Sequence, residues 1–115
     1  MRMTNAEGVE CLSILTSIHE KGKLGYAIAK NMRKLNDEMR EYFEKRDELI
    51  QKYGEKQDGE KYKIPPESVQ KFMDELREYD EIEFDFEPHM IGEEEFCRGE
   101  LTSDQMYGLC WMVTE

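Results

Sequence analysis

Apolar residues recur at helical spacing along most of this chain, and the longest series sets the expected architecture. From Ile28 they fall at Met32, Leu35, Met39 and Tyr42, pass through Arg46 in register, and end at Leu49 and Tyr53. The steps alternate between four and three residues, which makes a heptad seam down one face of a helix. Ala29, Phe43 and Ile50 broaden the seam. It predicts a single helix over 25–53, roughly 43 Å long at about 1.5 Å per residue. Gly54 is placed to stop it. The opposite face pairs unlike charges at i,i+4, as in Arg33/Asp37 and Glu48/Lys52, which marks it as solvent-facing.

Three shorter helices follow from the same reasoning. A capping box from Thr4 to Glu7 opens a helix over 5–19, with Cys11, Ile14, Leu15 and Ile18 on one face. Pro66 suits the first turn of a helix over 66–79, whose inward face is Val69, Phe72, Met73 and Leu76. A second capping box, Thr102 to Gln105, opens a helix over 103–113 that buries Met106, Leu109, Cys110 and Val113. The period changes at 81–87, where Ile82, Phe84 and Phe86 alternate with carboxylates, giving a strand with one aromatic face. A lone strand leaves its backbone groups unsatisfied, and residues 61–64 offer a short partner. The fold class is therefore mainly α (α+β): one domain over 1–115, with a long amphipathic helix packed against three shorter helices and a small β element.

Composition sharpens this picture. The chain has 115 residues, 38% hydrophobic and 37% charged, which is polar for one domain. A helix that long in a chain that polar predicts burial shared with a second copy. The candidate homo-oligomer interface is Ile28, Met32, Leu35, Met39, Tyr42, Arg46 and Leu49. Arg46 either snorkels from the seam's edge or pairs across that interface. The net charge of −11 argues against direct nucleic-acid binding. The charge is also uneven. Arg2, Lys21, Lys23, Lys30, Arg33 and Lys34 outnumber the acids before residue 35, whereas Arg98 stands alone among the carboxylates of 80–115. No apolar run is long enough to span a membrane, and no signal-peptide pattern is visible. Three cysteines without metal-ligand spacing fit reduced thiols in a cytoplasm, with Cys11 and Cys110 as core residues.

Candidate chemistry is sparse. His19 and His89 lie on different elements, and no metal or cofactor motif is present. No cysteine has the neighbours a nucleophile needs, so a non-enzyme is expected. Two surfaces remain. Lys21 and Lys23 flank Gly22 before the long helix, with Lys30 and Arg33 inside it, so a phosphorylated or nucleotide ligand could meet the helix N-terminus there. On a helix that opens at Gly25, however, these side chains point in several directions. The second surface is acidic: Glu83, Asp85, Glu87, Glu93 and Glu94, which could occupy a basic groove on a partner.

Several segments carry a resemblance. They are Lys23-Leu24-Gly25-Tyr26-Ala27-Ile28-Ala29-Lys30-Asn31, Arg46 through Glu55, the Phe72-to-Leu76 helix before the strand, and Glu100-Leu101-Thr102. In them the chain resembles small proteins of unknown function from bacteriophages and mobile elements of Gram-positive bacteria, over roughly residues 21–115. The resemblance brings no activity. It implies an accessory protein of a phage or prophage in the host cytoplasm. Together with the missing chemistry and the acidic surface, it makes a non-enzymatic protein that binds a host protein, such as an inhibitor of a defence component, the leading expectation. A protein sequestering a small phosphorylated ligand is the alternative, and a phage structural or assembly part a second one.

Overall fold

The computed structural model describes residues 1–59 and 61–114. The Thr4 hydroxyl accepts the Glu7 amide while the Glu7 carboxylate accepts the Thr4 amide. This reciprocal cap satisfies two orphan donors and starts helix α1 (Asn5–Thr16). Just before it, Arg2–Thr4 form strand β1, an element the sequence pattern did not predict.

The long seam is helical from Gly22 to Tyr53 except at one residue. Helix α2 (Gly22–Glu38) and helix α3 (Arg40–Tyr53) meet at Met39, whose φ of −98° and ψ of 12° leave the helical basin. The Met39 amide still bonds the Leu35 carbonyl at 2.9 Å, and its carbonyl accepts the Phe43 amide at 3.0 Å. The expected single rod is thus disturbed at one residue rather than severed. The disturbance sits where α1 approaches most closely: a Cβ on Gly8 would lie 2.5 Å from the Met39 sulfur. The helix also starts three residues earlier than expected. Gly22 adopts φ +67°, a conformation cheap for glycine, and so turns the chain before Lys23.

Much of the seam expected at an interface between copies is covered from within the same chain. Ile28, Leu35, Met39, Tyr42 and Leu49 are all buried here. All but Leu49 belong to one core with Leu12 and Leu15 of α1, Met3 of β1, and Phe86, Phe96, Leu109 and Met112 from later in the chain. Met32 and Arg46 are half-buried. Arg46 lays its guanidinium over the Phe43 ring, 4.9 Å from the centroid, and its Nε is buried with no hydrogen-bond partner among the described residues.

The strands pair differently from expectation. Tyr62–Lys63 (β3) folds back on Glu55–Lys56 (β2) as a hairpin. Strand β4 (Glu83–Asp85), shorter than the expected 81–87, pairs antiparallel with β1, matching Met3 to Phe84 and Thr4 to Glu83. The Met1 amine donates to the Phe86 carbonyl at 2.7 Å, which extends the ladder. Period two then sorts the side chains. Met3 and Phe86 are buried, while Arg2 faces out and bridges Glu83 at 2.8 Å and Asp85 at 3.2 Å. Ile82 precedes the strand and is 52% exposed, so it is not part of the buried aromatic face.

Helix α4 (Pro66–Asp80) lies along α3 but has no buried residue. Val69 and Met73, expected inside, are exposed, because two paired helices cover only one flank of α4's apolar arc. After Ile91–Gly92 (β5) comes the short helix α5 (Glu93–Cys97). Helix α6 (Ser103–Gly108) ends earlier than expected. A 3-10 turn at Cys110–Met112 and strand β6 (Val113–Thr114), parallel to β5, replace its last turns. This buries Leu109 and Met112 at i,i+3 and turns Cys110 outward. No helix among the described residues is long and apolar enough to cross a membrane.

Candidate functional site: the basic face of the second helix

Because α2 begins at Gly22, Lys23 is on the helix rather than in the turn. At about 100° per residue, Lys23, Tyr26, Lys30, Arg33 and Lys34 then share an arc of about 100°, which at half-buried Lys34 borders the buried residue Ala27. The helical cations therefore do not point in several directions; they line one face, and the earlier start adds Lys23 to it. Lys21 caps the helix without a side-chain hydrogen bond.

Tyr26 stands in the middle of this face, 59% exposed. The Lys30 ammonium lies 5.7 Å from its ring centroid, and the His89 ring meets it edge-on at 5.4 Å. Beneath, Asn31 is fully buried. Its side-chain amide donates to the His89 carbonyl at 3.0 Å, and its carbonyl oxygen accepts the His89 amide at 2.7 Å. That pair of hydrogen bonds satisfies two backbone groups that would otherwise be costly to bury, and it clamps the 88–90 loop beside Tyr26. The Lys34 ammonium donates to the Glu87 carbonyl at 3.0 Å and fixes the loop's other end. Asn31 was absent from the sequence-level candidates. Its signal was available: a polar residue one turn from Ala27 and from Leu35, inside the apolar arc.

Electrostatics separates this face from the rest of the molecule. Among the described residues no salt bridge reaches Lys21, Lys23, Lys30, Arg33 or Lys34. The acidic candidates are different. Glu83 and Asp85 share Arg2, and Glu94 pairs with Arg98 at 2.7 Å. Glu87 and Glu93 are exposed. These five carboxylates divide between the outer face of β4, the loop after it and the head of α5.

The basic groups extend over about 17 Å of helix from Lys23 to Lys34. Such a row suits an extended acidic surface better than one phosphate. Beside it, between α1 and α2, runs a groove of about 450 Å³ lined by Leu15, Ile18, Ile28, Ala29 and Met32, with His19 and Lys21 at one end. Among the described residues no three His, Cys, Asp or Glu side chains converge to hold a metal ion. Cys97 and Cys110 are exposed and Cys11 is half-buried, its thiol pushed up chiefly by burial, with Glu10 and Glu7 adding to the shift. The chain matches no family model, no curated protein and no solved structure.

Proposed function

We propose that this protein is a non-enzymatic binding protein whose working surface is the basic face of α2 around Tyr26, and that it engages an acidic surface on a partner protein. The observation that carries the reading is a row of unneutralised cations flanking an exposed tyrosine, on a chain of net charge −11. Elsewhere, Arg2 and Arg98 are each spent on two carboxylates. Tyrosine beside arginine is also the side-chain chemistry enriched at binding hot spots. At physiological salt, charges beyond about 8 Å are screened. The local patch, rather than the net charge, then governs a close contact.

The resemblance to small proteins of Gram-positive phages supports a host protein as the partner, with inhibition of a defence component as the consequence. The test is affinity capture from a Gram-positive bacterial lysate with the wild-type protein and with Lys23→Glu, Lys30→Glu and Arg33→Glu combined. A stoichiometric partner should be retained by the wild type and lost with the triple variant. It should survive a control that reverses Lys63 and Lys71 instead. Equal capture by all three proteins would remove α2 from the proposal.

A further inference from the structure

We infer that the α1–α2 groove receives an acidic amphipathic helix of the partner, a step that rests on the binding reading above. The floor is apolar and firm: Leu15, Ile18 and Ile28 are at most 8% exposed. Ala29 is exposed and Met32 half-buried, so the slot is open along α2. The volume of about 450 Å³ falls within the range of roughly 300–1,000 Å³ typical of ligand clefts.

Charge chooses the occupant. His19 and Lys21 stand at one end of the lining. Arg33 follows Ala29 by one turn, roughly 6 Å along the same side of α2, and Tyr26 lies just beyond it on that flank, whereas Lys30 points about 100° away from Ala29. Glu20 is the carboxylate in the lining, and it is already engaged by the Glu100 amide. An apolar trough with one basic bank complements a helix with an apolar stripe at i, i+3, i+4 and i+7 and carboxylates along one edge. A phosphate would leave the trough empty, and a basic helix would be repelled by the bank.

Fluorescence anisotropy with a labelled synthetic helix of about 18 residues tests this. The peptide carries leucines in that stripe and glutamates on its flanks; a control replaces every glutamate with lysine. The acidic peptide should bind saturably and at least about tenfold more tightly than the lysine peptide. Ala29→Gln with Met32→Gln changes no charge and alters accessible helix positions. It should weaken binding about tenfold while the circular-dichroism melt stays unchanged. Lys21→Glu with Arg33→Glu should do the same. Equal affinity for both peptides overturns the inference, as does indifference to the Ala29/Met32 pair. Saturable binding of laurate without peptide binding also overturns it, and so does a dimer that the same pair dissolves. If charge reversal abolishes lysate capture but the Ala29/Met32 pair changes neither capture nor peptide affinity, the binding reading stands and the groove assignment falls.

Discussion

Tyr42 shows how one side chain couples two helices. It is 7% exposed, and its hydroxyl donates to the Asp80 carboxylate at 2.5 Å, linking α3 to the end of α4. Burial, then the bond to Asp80, pushes its pKa up to about 12, against the opposing pull of Arg46. The native state therefore holds this proton after the unfolded chain releases it near pH 10. The resulting stability is fully present below about pH 10 and is lost as pH rises towards 12. Urea titrations across that range should show a steeper loss in the wild type than in Tyr42→Phe. At neutral pH, Tyr42→Phe should cost about 2 kcal/mol, as expected for a bond to a charged acceptor. Local features of this kind differ in how legible they are. Both capping boxes were readable because donor and acceptor lie three residues apart. For the Asn31 clamp only half was readable: a polar residue inside the apolar arc marks Asn31, but its partner at His89 is distant in sequence and is a backbone group, which leaves no residue-type signature.

At the scale of elements, the apolar seam was legible as a helix, and most of the residues expected at an interface between copies are buried within the chain. Periodicity says which face is covered, not by what. The cover proved to be α1 and the later strands and turns of the same chain. The helix start was misread because Gly22 and Gly25 both look like punctuation, and only Gly22 takes the positive φ. Those three residues decide whether Lys23 belongs to the basic face. Among the four longer helices α4 is the least buried: it has no buried residue, and α3 is its main support. Its amides should exchange through a sub-global opening well before those of α1 and the buried half of α2. Native-state hydrogen exchange checks this; α4 protection equal to that of α1 would show the two opening as one unit.

The whole molecule measures 49 × 30 × 23 Å. The core gathers around α1, α2 and the β1–β4 pair, while α3, α4 and the β2–β3 hairpin form a less buried arm. The strand partner was the least legible feature, since β1 is three residues long and its alternation is too short to stand out. Yet β1 contributes Met3, 2% exposed, to the centre of the core. Joining Arg2 to Asp85 closes a loop spanning most of the chain, and closure entropy makes such contacts expensive to form early. The helices can therefore nucleate locally while the two strands wait. On this basis Met3→Ala should cost about 2–4 kcal/mol. Stopped-flow refolding should place that loss almost wholly in faster unfolding, with the refolding rate little changed. A strand of three residues thus acts as the latch of the core, expected to be set late in folding, and its release opens the core where the loosening of α4 does not.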